Sequence, residues 1–275
     1  MVHEGRPPGA RRRFARSRKV AAWGAGAALA YLILAYAILP RVWTHYEHQR
    51  GIEGRPMTTW TAQGIPGDPL NVGLVGDDRD LLAAMREAGW LPATAVTLRS
   101  SIAIIGSVLF DRPDPRAPVS PLYYDGRQED FAFEKPVGVS ADRRRHVRFW
   151  RVLDRGAEGR PVWLGAATFD TGVGLSHYTG QVTHHIAADI DATRDALMAD
   201  LAQAHMVEAF YTVSGIGPTL LGRNGEGDRY FTDGEIRFAR LTPAGERRTA
   251  APEILDAPPL VSLKDALWQA ATPDP

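Results

Sequence analysis

An α+β fold is predicted: a single mixed or antiparallel-sheet domain with packed helices, preceded by one N-terminal transmembrane helix. Three observations predict it. Residues Val20–Leu39 form an uncharged apolar run behind a dense basic block. Strand and helix signals then mix without strict alternation, which disfavours a doubly wound sheet. The remaining length suits one core of moderate size, and no internal repeat is present.

The apolar run comes first. At 1.5 Å rise per residue it matches a hydrocarbon core of roughly 30 Å. Seven cations (Arg6, Arg11, Arg12, Arg13, Arg16, Arg18, Lys19) precede it, against Arg41, Arg50 and Arg55 on the near downstream side. The positive-inside rule then keeps residues 1–19 cytoplasmic and sends everything from Pro40 outward, with Tyr31, Tyr36 and Trp43 as interfacial residues. Two other readings stand beside this one. Ala35-Tyr36-Ala37 has the form of a cleavage site and Arg11-Arg12-Arg13-Phe14 loosely that of a twin-arginine signal, while a buried core helix is the third option. The run exceeds a usual signal h-region, so an uncleaved signal anchor over 20–39 is expected.

Composition narrows the chemistry. The chain has 32 basic and 32 acidic side chains in 275 residues, and its basic excess is concentrated in the first nineteen. The exported part is mildly acidic, which argues against nucleic acid as a partner. Zero cysteines exclude disulfides, thiolate metal sites and cysteine nucleophiles. Any metal would need His and carboxylate ligands.

Residues 40–63 mix polar residues with Gly and Pro and are read as a stalk; the domain proper is expected over 64–245. Asn71–Gly76 is a strand, and Asp77 or Asp78 caps a helix bearing Leu81, Leu82, Met85 and Ala88, closed by Gly89. Two aspartates sit where an anion would bind, so this turn is not a phosphate loop. Ile102–Phe110 is expected to be helical and Arg112–Pro121 irregular. Strands follow at Leu122–Tyr124 and Asp130–Glu134 around Asp125-Gly126 turn chemistry. Arg145–Leu153 and Pro161–Phe169 form the clearest hairpin, with Val147, Phe149 and Leu153 on one face and His146, Arg148 and Trp150 on the other. Further elements are a strand at Gln181–Ile186, a helix from Asp191 to His205 capped by Asp189 or Asp191, a strand at Val207–Ser214, a glycine-rich loop, and a strand at Glu235–Leu241. Residues 246–275 form a Pro/Ala-rich tail with a short docking helix of Leu263, Ala266, Leu267 and Trp268 behind Ser262.

Several stretches, taken in order, resemble one family. They are Asp68-Pro69-Leu70-Asn71-Val72-Gly73-Leu74-Val75-Gly76, Ala117-Pro118-Val119-Ser120-Pro121-Leu122-Tyr123, Arg145-His146-Val147-Arg148-Phe149-Trp150, Trp163-Leu164-Gly165-Ala166-Ala167-Thr168-Phe169-Asp170, Thr183-His184-His185-Ile186, and Gly227-Asp228-Arg229-Tyr230-Phe231-Thr232-Asp233-Gly234. Together they are similar to the LssY C-terminal domain family. The resemblance implies a bacterial, membrane-associated domain, in some members joined to a PAP2-type lipid phosphatase. This chain departs from that arrangement, without the multiple spans or the paired basic, Ser-Gly-His and Arg/His motifs of such a phosphatase, so no activity is carried over.

The candidate site residues are His146, Arg148, Asp170, His184 and His185. A carboxylate fixes an imidazole's tautomer and raises its basicity, and an arginine holds an anionic group bidentately. His184 and His185 point to opposite faces of an extended strand, so at most one is expected in the site. The competing reading is a set of polar groups satisfying one another across a partly exposed sheet. A second candidate is the loop Asn224–Glu235. Asn224, Glu226, Asp228 and Glu235 fall on calcium-loop spacing, with Arg229 where that loop needs Gly, so a divalent cation is its candidate cofactor. Neither a nucleotide nor a haem signature is present. The run Arg143-Arg144-Arg145 is a solvated strand entrance or a lipid-headgroup contact, and Ser214 lacks a nucleophile-elbow frame.

The expected function is a membrane-anchored, extracytoplasmic accessory or ligand-binding domain of the bacterial cell envelope, with the membrane, lipid headgroups or another envelope protein as partner. The alternative is an envelope hydrolase acting on a phosphoester or lipid through the His/Asp/Arg group.

Overall fold

The computed structural model describes residues 8–39, 49–95, 118–119, 121–138, 143–176, 178, 180, 182–214 and 220–256, with 259, 262–263 and 266–267 in the tail. Expectations for Ile102–Phe110 and most of Arg112–Pro121 lie outside the described residues. Contact density separates residues 47–258 from a unit formed by residues 1–46 and 259–275.

In that smaller unit helix α1 (Pro8–Ile33) continues through a π turn over Leu34–Ile38. Arg18–Ile38 is long and apolar enough to cross a membrane, and none of it is buried in protein. The helix begins earlier than the apolar run because the basic block is itself rich in helix-forming Arg and Ala. In the tail, Leu263 and Leu267 are helical and exposed.

Among its described residues the larger unit holds seventeen short or long strands. They are β1 (Thr58–Thr61), β2 (Pro66–Pro69), β3 (Val72–Val75), β4 (Leu91–Pro92), β5 (Thr94–Ala95), β6 (Pro118–Val119), β7 (Leu122–Tyr124), β8 (Arg127–Gln128), β9 (Phe131–Pro136), β10 (Arg144–Leu153), β11 (Val162–Leu175), β12 (Val182–Ile186), β13 (Val207–Ser214), β14 (Leu221–Arg223), β15 (Arg229–Phe231), β16 (Glu235–Leu241) and β17 (Glu253–Ile254). Helices α2 (Asp78–Glu87) and α3 (Asp191–Gln203) lie among the same described residues. The main sheet runs β17-β13-β16-β3-β11-β10-β9-β4, with β12 pairing the far half of β11. Only β13/β17 and β3/β16 are parallel in it, so the predicted mixed sheet of an α+β domain is what forms.

The two faces of this sheet have different covers. Val72, Leu74, Val147, Phe149, Trp163 and Ala239 pack beneath Leu81, Met85, Leu197 and Leu201 of the two helices. On the opposite face Trp150, Leu164, Phe238 and Tyr211 pack with Ile52, Leu70, Leu122 and Tyr124. That second cover includes the small sheet β2-β1-β7-β8. Close approach across β3 requires Gly73, since a Cβ there would overlap the Phe238 ring. Asn71 ties the layers together, its amide donating to the carbonyls of Ala167 and Ile190 while its oxygen accepts from the Ala167 N–H.

Local rules explain most elements. Asp77 caps α2 in a reciprocal capping box with Asp80, and Gly89 follows the helix at φ +77. At α3 the N-cap position is Ile190, while Asp189 Oδ1 accepts from the Ala192 N–H and so does the capping work expected of it. Asp125 and Gly126 both have positive φ, but they join β7 to the unforeseen β8 rather than to β9.

Three expectations are corrected. Residues 40–63 are not a stalk throughout: Gln49 and Ile52 are fully buried, and β1 pairs with β2 and β7. Isolated apolar residues between Gly and Pro gave no period to detect. Leu153 does not share a face with Val147 and Phe149. A register shift between Arg151 and Leu153 inserts Val152 and turns Leu153 to the opposite core, as a β-bulge does. The tail is not free of the sheet either, because Glu253–Ile254 pairs in parallel with β13.

This architecture makes the domain begin near Gln49. Ile52→Ala is expected to cost about 2–5 kcal/mol through the cavity it leaves, read as a lower melting temperature. A chain starting at Gly64 should fail to unfold cooperatively, whereas one starting at Glu47 should do so. Equal cooperativity of the two would overturn the earlier boundary.

Candidate functional site

Strand alternation builds the site. On β10, Val147 and Phe149 face the helices, so Arg144, His146, Arg148 and Trp150 face the small sheet. The same count along β11 puts Leu164, Ala166, Thr168 and Asp170 on that side. Towards one end this face is apolar; beyond Trp150 it becomes charged. Pairing sets Arg144 opposite Asp170, His146 opposite Thr168, and Glu134 of β9 opposite His146. His146 therefore reaches Asp170 diagonally, Nε2 to Oδ2 2.9 Å, at an angle outside hydrogen-bond geometry.

The row is buried. Glu134, Arg144, His146, Thr168 and Asp170 are each under 5% exposed, and Arg148 is 8% exposed. Arg144 Nη1 donates to Glu134 Oε2 at 3.1 Å. Arg148 Nη1 donates to Asp68 Oδ2 at 3.1 Å, and the Thr168 hydroxyl reaches the same oxygen at 3.5 Å. From β12, His184 sets Nδ1 at 3.8 Å from Asp170 Oδ2, and its ring lies 6.1 Å from that of His146.

Of the five residues expected at this site, the structure brings four together: His146, Arg148, Asp170 and His184. His185 points the other way, as strand alternation requires, and its Nδ1 lies 2.8 Å from Asp228 Oδ1. Sequence reasoning missed Asp68, Glu134, Arg144 and Thr168. Arg144 was hidden in a basic run, yet only its neighbours follow the solvated reading, since Arg143 is exposed and Arg145 half-buried. Period two counted back from His146 was the available signal for Arg144.

Burial and neighbours push the carboxyls apart. Burial raises Asp68 above the ordinary carboxylate range, against the pull of Arg148, with Asp170 adding to the rise. Burial also acts to raise Asp170, but His146, His184 and Arg148 together hold it below the ordinary value. Burial lowers His184, opposed by Asp170 and reinforced by His146, Arg144 and Arg148. Burial likewise raises Glu134 against Arg144 and His146. Within one cluster, burial thus pulls one carboxyl up while cationic neighbours hold another down.

A pocket of about 100 Å³ opens onto the cluster. Its floor is Asp68, Arg148, Asp170 and His184; the β1–β2 turn supplies Thr61, Ile65 and Pro66, and the β14–β15 turn supplies Asn224 and Glu226. His184 Nε2 is buried and has no hydrogen-bond partner among the described residues. Gly225 joins the two turns, its N–H donating to the Pro66 carbonyl at 2.7 Å where a Cβ would overlap Ile65.

The residues Asn224, Glu226, Asp228 and Glu235 do not converge on a cation. Asn224 Oδ1 accepts from the Asp228 N–H, and Asp228 Oδ2 accepts from Asn224 and from the Ile186 N–H. Glu226 lines the pocket, while the Glu235 carbonyl accepts from Arg194. Among the described residues no group of three His, Asp or Glu side chains has metal-ligand geometry. Of these four loop residues, Asp228 is the one that fastens the loop to β12, through His185 and the Ile186 N–H.

Two outcomes follow from the buried charges. Arg148→Met leaves Asp68 uncompensated and should cost about 3–5 kcal/mol; adding Asp68→Leu should recover most of it, measured by denaturant unfolding. A double variant as unstable as the single one would sink the pairing. The second outcome concerns pH. His184 has its folded value below the ordinary 6.5, so between the two values the unfolded chain binds more protons and stability rises with pH. The stability difference between wild type and His184→Gln should therefore shrink as pH falls below about 6.5 and stay flat above it. A difference independent of pH would contradict a buried neutral imidazole.

Comparison with curated proteins returns no match, and neither does comparison with solved structures. The match is instead to a family model described as LssY C-terminus, over residues 50–236. Its start at residue 50 coincides with the buried Gln49–Ile52 segment rather than with the expected boundary at Gly64. It spans Asp68, the β9–β12 strands and the β14–β15 turn, and with them every residue of the pocket floor; the chain belongs to the LssY C-terminus family.

Proposed function

We propose that the chain is a single-pass, membrane-anchored ligand-binding module of the bacterial cell envelope, with its N-terminus cytoplasmic and its domain outside. The pocket over Asp68, Arg148, Asp170 and His184 carries this reading. Three carboxylates line it, counting Glu226, and the Arg148 guanidinium already donates to Asp68. That balance suits a small polar group that donates hydrogen bonds, such as a hydroxyl or an amine, better than a free anion. The apolar, uncharged run Val20–Leu39 behind a basic block supports the anchor and the orientation.

A hydrolase of phosphoester or lipid is the second reading, favoured by the unpartnered His184 Nε2 with Asp170 behind Nδ1. In it, His184 Nε2 takes a proton from a water as that water attacks the ester. The bond to the leaving group then breaks, and the same proton passes to the leaving oxygen.

Variants at the rim separate site from scaffold. Thr183→Val and Glu226→Gln should remove the cellular role of the gene while shifting the melting temperature little, because neither side chain is fully buried. Wild-type function in both would refute the pocket as the working site. If the module only binds, His184→Gln should weaken ligand-induced thermal stabilisation; if it hydrolyses, the same variant should bind and fail to turn over. A reporter active only outside the cytoplasm, fused after Pro275, should be active.

A further inference from the structure

The β14–β15 hairpin has one face that its packing does not use. Residues 222 and 230 point inward: Tyr230 packs with Ile186 and Ile190, and its ring lies where a Cβ on Gly222 would be. The other face carries Leu221 opposite Phe231 and Arg223 opposite Arg229. Leu221 is 78% exposed and Phe231 48%. Both arginines are exposed, and among the described residues neither makes an ion pair; Arg223 donates only to the Gly227 carbonyl.

Single exposed leucines are ordinary, but this combination is not. Like charges set directly opposite each other across a strand pair are destabilising. The hairpin is also rigidly held, with Asp228 bonded to His185 and the Ile186 N–H, and Gly225 bonded to Pro66. A firm platform thus presents an apolar pair at its open end and a cation pair at its turn end. Apolar side chains that enter an interface, with guanidiniums left at phosphate level, are the pattern of interfacial lipid binding.

We propose that this face docks on the anionic lipid surface of the membrane that α1 spans, which rests on the reading of α1 as an anchor. Charge complementarity selects the occupant: two cations beside an apolar pair, on a chain with a membrane-length helix. The turn of the same hairpin contributes Asn224 and Glu226 to the pocket rim. Docking therefore brings the pocket mouth to the headgroup layer, where a ligand bearing hydroxyls or an amine is at hand.

The absence of cysteine allows one fluorophore per chain. The full chain, labelled at Leu221→Cys, Ala27→Cys or Leu82→Cys, is reconstituted into phosphatidylcholine vesicles with and without phosphatidylglycerol, each containing spin-labelled lipid as quencher. Position 27 reports the anchor and position 82, exposed on α2, is the control. The expected result is quenching at 27 in both vesicles, at 221 chiefly with phosphatidylglycerol, and not at 82. Arg223→Gln and Arg229→Gln should each lower the docked-to-undocked ratio at 221 by roughly fivefold. Quenching at 221 no greater than at 82, with 27 quenched, overturns the docking surface. Loss of quenching at 27 overturns the anchor instead. A blue shift at 221 that grows with protein concentration in lipid-free detergent assigns the face to a second copy and overturns the lipid.

Discussion

The constraint on which this domain depends is the charge carried by one face of its central hairpin. Period-two alternation that buries Val147 and Phe149 beneath the helices necessarily turns Arg144, His146 and Arg148 to the opposite face. That face is covered, with all three under 9% exposed. Uncompensated burial costs several kcal/mol per ion, so acids must come to meet them. Glu134 comes from the adjacent strand and Asp170 from the hairpin partner, but Asp68 has to be delivered from outside. Its delivery is the work of β2, and β2 is held by β1, which explains why the segment after the membrane helix is built into the domain.

The split between what the sequence disclosed and what it hid follows the range of the interactions. Capping of α2 by Asp77, the pairing of β10 with β11 and the span of α3 are local patterns, legible over a few residues, whereas the reciprocal part of Asp80 in the cap was not read. His146, Arg148, Asp170 and His184 were legible as a group because strand period and hairpin register relate them. Asp68 was not, since no spacing relates residue 68 to residue 148 until the β1–β2 sheet is in place. The bulge at Val152 was hidden for a different reason: alternation holds through Arg151, and the register shift depends on the partner strand. The loop Asn224–Glu235 has a cation-binding spacing, but spacing alone did not disclose which of its side chains meet other parts of the domain. Asp228 answers to a tertiary demand, the fastening of a hairpin to β12.

The membrane helix obeys a separate constraint. Its backbone groups are satisfied internally, and its side chains carry no charge over a membrane-length run, so lipid can replace water around it without leaving a polar group unpaired. The larger unit answers to water, and there β10 alternates the apolar Val147 and Phe149 with the charged Arg148. The two parts are thus solutions to different solvents.

Within the pocket the two carboxyls do not titrate as independent groups. Asp170 has His146 and His184 beside it, together with Arg148, whereas Asp68 has Arg148 and must also accept the field of Asp170. Ionising one disfavours ionising the other: burial and the field of Asp170 raise Asp68, while His146, His184 and Arg148 hold Asp170 down. The resulting steps belong to the cluster as a whole. A bound amine would add a cation and bring the second ionisation down, and a bound anion would push it up. Protonation and occupancy of this pocket are therefore linked, and the sign of that linkage identifies the charge of whatever occupies it.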